Sequence, residues 1–204
     1  MRVEIIPCLE DNYAYLVVTA AGEAAIVDPS EAGPVLAAVK RLGVTLHAIW
    51  NTHHHYDHVG GNEEIVAAHP GIAVVGHARD AERIPELTHG VEDGDELMLG
   101  EQRARILYNP GHTLGAVTYL VDDAAFTGDT LFTAGCGRVF EGDASMMFAS
   151  LMRIGTLPPK TRIYPGHEYT LRNLEFAHSV DDGNPAILSR LDETRRQREQ
   201  GAPG

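Results

Sequence analysis

Thr52-His53-His54-His55-Tyr56-Asp57-His58-Val59-Gly60-Gly61-Asn62 packs four histidines and an aspartate into six consecutive positions, His53 to His58. Within it, His53, His55, Asp57 and His58 give the spacing His-x-His-x-Asp-His. The preceding Ala48-Ile49-Trp50-Asn51-Thr52 reads as a short buried strand. In a chain still extended beyond it, His53 and His55 point to one side as a metal pincer, and His54 points away. Asp57 and His58 are adjacent and must diverge, which suits a second metal beside the first. Gly60-Gly61 then lets the backbone turn sharply into a following helix. A histidine-rich surface loop would account for a lone His-x-His pair, but not for the full set ending in Asp-His-x-Gly-Gly.

Outward from this motif the chain alternates between strand and helix patterns. Upstream, Val3 to Ile6, Asn12 to Thr19 and Glu23 to Val27 are rich in β-branched and aromatic residues and read as a meander of strands. Val35, Leu36, Val39 and Leu42 recur at helical spacing, which predicts a helix over Glu31 to Leu42 stopped by Gly43. Downstream, Asn62 to His69 reads as a helix and Ala73 to Val75 as a strand. Asp80 to Glu96 is broken by Pro85, Gly90 and Gly94 and supports no assignment. Period-two patterns return at Glu96 to Leu99, Arg103 to Tyr108, Val117 to Val121 and Ala124 to Thr127. Ser145 to Ile154 reads as a helix, Arg162 to Tyr164 as a last strand, and Tyr169 to Ser179 and Ala186 to Glu199 as terminal helices. This order predicts an α/β fold of two mixed sheets packed face to face with helices outside.

Three further candidates lie at strand ends: His112 in Asn109-Pro110-Gly111-His112-Thr113, Asp129 in Thr127-Gly128-Asp129-Thr130, and His167 in Tyr164-Pro165-Gly166-His167-Glu168. In each a glycine precedes the potential ligand, which allows the backbone to crowd against whatever that side chain holds. Asp129 alone would read as a turn residue. Together with the first motif the three complete a set of five histidines and two aspartates, enough to satisfy two ions.

Composition narrows the function classes. The 204 residues, 44% of them hydrophobic, can bury one sizeable core. A formal charge of −13 argues against nucleic acid or an anionic membrane as partner. Cys8 and Cys136 lie far apart without a Cys-x-x-Cys partner, which fits a reducing compartment and predicts neither a disulfide framework nor a zinc knuckle. No apolar run approaches the roughly 18 residues needed to span a bilayer, and no cationic start precedes an apolar stretch. The expected location is the cytoplasm, and the expected state a monomer.

With these residues in place, the chain resembles the metallo-β-lactamase superfamily and, within it, glyoxalase II, the hydroxyacylglutathione hydrolases. The likeness runs through Thr52 to Asn62, Pro110 to Gly115, Phe126 to Phe132, Gly135 to Gly142 and Tyr164 to Thr170. It implies a four-layer αββα sandwich over one domain, residues 1–204. It also implies one metal held by His53, His55 and His112, the other by Asp57, His58 and His167, with Asp129 bridging. Two cations sharing a water ionise it near neutral pH, giving a nucleophile for a thioester carbonyl, here that of S-D-lactoylglutathione. Imidazoles suit zinc and iron and carboxylates admit manganese; zinc is the first expectation.

Gly135-Cys136-Gly137-Arg138-Val139-Phe140-Glu141-Gly142 is similar to the family's substrate loop, which places Arg138 and Phe140, with Tyr169 further on, against glutathione. The alternative meanings are a solvated surface charge for Arg138 and a plain core residue for Phe140. Cys136 reads as a small packed residue. Family members usually continue well beyond the point matching Gly201-Ala202-Pro203-Gly204, into a segment with further basic contacts to glutathione. The resemblance therefore predicts weakened glutathione binding, for which Arg190, Arg195, Arg196 and Arg198 are candidate compensation; a charged face of a terminal helix is the other meaning. The rival functions are a mono-iron persulfide dioxygenase, whose loop normally reads Gly-Arg-Thr-Asp-Phe where this chain has Gly137-Arg138-Val139-Phe140, another hydrolase of the fold such as a lactonase or β-lactamase, and a non-catalytic binding module.

Overall fold

The strand Asn12–Val18 shows how the molecule is layered in the computed structural model, which describes residues 1–204. All seven of its residues are buried: Ala14, Leu16 and Val18 join one apolar cluster, Tyr13, Tyr15 and Val17 another. Period-two alternation with apolar side chains on both faces demands a covering layer on each side.

The first sheet runs in chain order through β1 (Arg2–Cys8), β2 (Asn12–Val18), β3 (Glu23–Val27), β4 (Thr45–Trp50), β5 (Ala73–His77) and β6 (His89–Val91). Its first three strands are antiparallel and the rest parallel. Parallel neighbours need a crossover. Between β3 and β4 it is α1 (Ala32–Leu42), which buries Val35, Ala38 and Val39 in the outer core and stops where Gly43 turns left-handed, φ 64°, its N–H on the Lys40 and Val39 carbonyls. Between β4 and β5 it is the histidine motif, with α2 (Tyr56–Val59) and α3 (Asn62–Ala68).

The second sheet contains β7 (Glu96–Leu99), β8 (Gln102–Tyr108), β9 (Val117–Val121) and β10 (Ala124–Gly128), all antiparallel. A small hairpin, β11 (Leu131–Phe132) with β12 (Gly135–Cys136), and α4 (Ala144–Ile154) then lead to β13 (Arg162–Pro165), which pairs parallel with β10. The helices α5 (Thr170–Val180) and α6 (Pro185–Glu199) close the chain and pack on each other. Between the sheets Trp50 stacks on Tyr119, centroids 5.4 Å apart, and the Tyr119 hydroxyl donates to the Asn51 carbonyl at 2.9 Å. The second core thus reaches directly under the histidine motif.

Five features differ from the sequence reading. The strand before the motif ends at Trp50 and not at Thr52, so His53 and His55 lie in irregular backbone. That strand also carries a register shift: Ala24 pairs with Leu46 but Ala25 with Ala48, which leaves His47 as an extra, exposed residue. A single helical turn, α2, lies within the motif and is too short to show a period. In the region of broken pattern, β6 forms by pairing with β5; Gly90 is needed there because a Cβ would come within 2.9 Å of Ala78. The two-residue strands β11 and β12 left no periodic trace.

Candidate metal centre

The seven candidate side chains leave the ends of four strands and meet. The motif follows β4, His112 follows β8, Asp129 is the residue after β10, and His167 lies just past β13. His53 Nε2 and His112 Nε2 approach His55 Nδ1 at 3.1 and 3.0 Å, and these three residues form one potential metal-holding group. Asp57, His58 and His167 form another: His167 Nε2 is 3.4 Å and His58 Nε2 3.8 Å from Asp57 Oδ2. Asp129 Oδ2 links the two, 3.5 Å from His112 Nε2 and 3.3 Å from His167 Nε2. Two of the predicted glycines work by absence. At Gly128, φ 49°, a Cβ would fall 2.2 Å from Thr52 Oγ1, and at Gly166 it would fall 2.4 Å from Asp129 Oδ1.

The ring nitrogens that face away are held from behind. His58 Nδ1 bonds Asp28 Oδ2 at 3.0 Å, His167 Nδ1 bonds Asp11 Oδ1 at 2.9 Å, and His112 Nδ1 bonds the Arg138 carbonyl at 2.7 Å. His53 Nδ1 meets Thr52 Oγ1 at 3.0 Å. With each Nδ1 engaged, Nε2 is the atom offered inward, and the ring cannot swivel. Asp28 also accepts from Thr52 N at 2.7 Å and Thr52 Oγ1 at 2.6 Å. Although it lies near His53 and His58, its lone pairs are therefore committed to orienting them. Asn12 Nδ2 donates to the carbonyl and the carboxylate of Asp57. Sequence reasoning missed Asp11, Asn12 and Asp28 as supports of the site. The available signal was position: Asp28 follows the buried β3 as Asp129 follows β10.

Burial and charge split the site electrostatically. Burial, aided by neighbouring imidazoles, holds His53 well below its usual value and His55 at about 4; burial also lowers His112. Burial alone would lower His167, yet the Asp129 and Asp57 carboxylates outweigh it and lift the ring to about 10. His58 is raised against its burial by Asp129 and Asp28. Asp57 is depressed, chiefly by its contact with His167, and Asp129 is lowered despite burial by His58 and the rings around it. His58 Nε2 and Asp129 Oδ1 are buried and face each other at 3.4 Å without forming a hydrogen bond to each other or to any other group. Orphaned donors and acceptors aimed at one point cost free energy unless a ligand takes them up, and imidazole with carboxylate is a donor set that fits divalent metal ions.

A family model described as "Metallo-beta-lactamase superfamily" matches residues 9–167, and one described as "Hydroxyacylglutathione hydrolase C-terminus" matches 168–204. The hydroxyacylglutathione hydrolase of Gloeobacter violaceus is 50% identical over 194 residues, covering 94% of this chain and 77% of its own length. That of Rhodospirillum rubrum is 49% identical over 206 residues, covering 100% and 80%. The chain belongs to the metallo-β-lactamase superfamily and, within it, to the hydroxyacylglutathione hydrolases. Among solved structures, ETHE1 from Myxococcus xanthus superposes with a TM-score of 0.73 at 32% identity, over 83% of this chain and 76% of that one. A di-iron-bound form of TTHA1623 gives 0.69 at 31%, over 82% and 92%.

In this hydroxyacylglutathione hydrolase relative, Arg138, Phe140 and Tyr169 line a cavity of about 770 Å³ that also contains His55, Asp57, His112, Asp129 and His167. The Phe140 ring stands edge-on to His55 and His112, and Tyr169 lies flat on His167 with centroids 4.8 Å apart. Phe140 is 61% exposed and is not a core residue. Cys136 is exposed where a packed residue was expected, and Cys8 is buried; both are free. His54 points away from the centre, as alternation predicts, and bonds the wholly buried Asp80 at 3.1 Å. Arg83 donates to His54 Nε2 and, at 2.5 Å, to Glu141, which in turn accepts from Leu114 N at 2.8 Å. The far end of the loop carrying Arg138 is tied to the metal motif in this way. The terminal arginines do not reach the cavity: Arg190 pairs with Glu193, Arg195 with Glu175 and Asp192, and Arg198 with Glu168.

Proposed function

We propose that this chain hydrolyses glutathione thioesters, S-D-lactoylglutathione first among them, to glutathione and a 2-hydroxy acid. The convergence of His53, His55, His112, Asp57, His58, His167 and Asp129, with His58 Nε2 and Asp129 Oδ1 buried and not hydrogen-bonded, supports this reading. So do the relatives named hydroxyacylglutathione hydrolase. In it, His53, His55 and His112 would hold one divalent ion and Asp57, His58 and His167 a second, with Asp129 within reach of both groups; zinc is the first choice, with iron and manganese admitted by the same donors. When bound, such ions ionise a water near neutral pH and polarise an acyl carbonyl.

The chain's own groups do the rest. Asp57 is the more open carboxylate of the two, its side chain 39% exposed, and His167 keeps it ionised. Its carboxylate oxygen not engaged by His167 and Asn12 is therefore available to accept a proton from an attacking water, while Asn12 fixes its rotamer. Phe140 shields His55 and His112 from solvent, which strengthens the charges beneath it. Arg138 attracts an anionic substrate, and Tyr169 packs on His167 at the same wall. A thiolate, whose conjugate acid has a pKa of about 8.5, leaves without a general acid. We further read the chain as one working domain and a monomer; its two free cysteines suit a reducing compartment such as the cytoplasm, and no helix is long and apolar enough to cross a membrane.

The test is a steady-state comparison of S-D-lactoylglutathione, a simple lactone, a β-lactam and glutathione persulfide, on protein carrying added zinc, manganese or iron, with metal content measured after dialysis. Thiol release from the thioester by protein holding close to two ions per chain is the expected result. Oxygen consumption with the persulfide, an untouched thioester and one iron per chain would replace the hydrolase with a dioxygenase.

A further inference from the structure

The cavity over the metal centre is lined by four acids and two arginines, and their pairing is uneven. Asp57 and Asp129 face histidines, Asp11 accepts from His167 Nδ1, and Glu141 is taken by Arg83 and Leu114 N. Every acid thus has a partner within the fold. Neither arginine has one: no hydrogen bond or ion pair to the guanidinium of Arg138 or Arg172 forms anywhere in the structure. In a chain of net charge −13, two free guanidiniums at one cavity leave that cavity with cationic groups available to a ligand.

Arg172 is the less expected of the two. It is exposed in the first turn of α5, where the positive end of the helix dipole disfavours a cation; that turn contains no acid, and Glu168 just before it is spent on Thr170 N, Gly204 N, Tyr13 and Arg198. Its neighbour Asn173 donates to the Thr133 carbonyl at 3.0 Å, and a Cβ at Gly135 would approach Asn173 Nδ2 to 2.6 Å, so this turn of the helix is seated closely on the β11–β12 hairpin at the cavity's edge. The backbone under Arg172 is fixed while its side chain is left free over the cavity.

We propose that Arg172 is a carboxylate-binding residue of the substrate site. From α5 its guanidinium takes one of the two carboxylates of the glutathione portion, while Arg138 approaches from the loop after β12. Resting on the glutathione-thioester reading, this gives the site a second cation from within residues 1–204, in place of the terminal arginines, which are engaged elsewhere or lie outside the cavity. A guanidinium–carboxylate pair at an accessible site contributes about a tenfold change in affinity.

The experiment is calorimetric binding of S-methylglutathione, which cannot be hydrolysed, to zinc-loaded protein. Arg172→Met is expected to weaken binding about tenfold, Arg172→Lys to restore part of the loss, and Arg196→Met, which removes an unpaired arginine outside the cavity, to leave the Kd unchanged. The diethyl ester of S-methylglutathione, lacking both carboxylates, is expected to bind wild type and Arg172→Met alike. Because Arg172 has no partner in the fold, the variant should keep the melting temperature and metal content of wild type. Unchanged binding of S-methylglutathione by Arg172→Met, an equal loss for the diester, or no binding to wild type would overturn the assignment. If wild type leaves S-D-lactoylglutathione intact while Arg172→Met still weakens S-methylglutathione, the hydrolase reading falls and the carboxylate site stands.

Discussion

Asp28 holds no place among the metal-facing atoms, yet three hydrogen bonds converge on it, two from Thr52 and one from His58. It sits at φ 48°, a left-handed backbone that a non-glycine residue adopts at a cost, and it is 2% exposed. Asp28→Asn keeps the shape but replaces one acceptor oxygen with a donor, so His58 loses its fixed tautomer or Thr52 loses a bond. The expected outcome is a roughly 10- to 100-fold fall in affinity for divalent metal, read by competition with a chromophoric chelator, with the fold retained by circular dichroism. An unchanged affinity would show that Asp28 serves only the backbone of Thr52. Residues of this kind mark the limit of what spacing reveals. His-x-His-x-Asp-His and three glycine-preceded side chains were legible because ligands must come in sets at compatible spacings. Asp11, Asn12 and Asp28 act singly, through neighbours distant in sequence, and leave no pattern.

At the scale of elements, the sequence was legible where one physical signal was strong. α1 ends at Gly43 because the chain turns left-handed there, and β2 alternates between two cores, so both were readable from period and punctuation. β6, β11 and β12 have too few residues for any period and exist through their pairing partners. The loop from Gly137 to Gly142 likewise depends on distant partners: Glu141 is held by Arg83 and Leu114 N, and Arg83 by His54 and Asp80. The bond from Arg83, against slight burial, holds Glu141 at about 2, so the pair is ionised throughout the neutral range. Arg83→Met removes the tether without touching the cavity floor. About a threefold to tenfold rise in KM for the thioester is expected, in keeping with one partly exposed charged contact, together with faster proteolysis within the loop. The charge-exchanged pair Arg83→Glu with Glu141→Arg should recover part of the loss, which a purely local packing defect would not allow.

Across the whole molecule, the two sheets share the core built on Trp50 and Tyr119, and the metal-facing groups lie where strands of both sheets end. The site's charges therefore bear on the stability of the entire fold, and their titration makes that dependence measurable in protein stripped of metal. His167, lifted to about 10 by Asp129 and Asp57 against its burial, carries a proton at neutral pH in the folded chain, whereas an unfolded histidine titrates near 6.5. Its contribution is complete below about pH 6.5 and is lost as pH rises from there through about 10. His53 and His55 act in the opposite sense. Burial lowers both, His55 to about 4, so below about pH 6.5 the unfolded chain takes up protons that the folded chain refuses, and stability falls as pH drops. The metal-free protein should accordingly melt at its highest temperature near pH 6.5 and lose stability on both sides. Added divalent metal supplies the positive charge that the His167 proton otherwise provides and requires that proton to leave, so it should raise the melting temperature most on the alkaline side. Scanning calorimetry from pH 5 to 10, on stripped and zinc-loaded protein and on stripped His167→Gln, reads each part. The variant should lose the larger part of the alkaline decline, His58 keeping the rest, and should keep the acid one. An alkaline decline as large in His167→Gln as in wild type would place its origin away from His167.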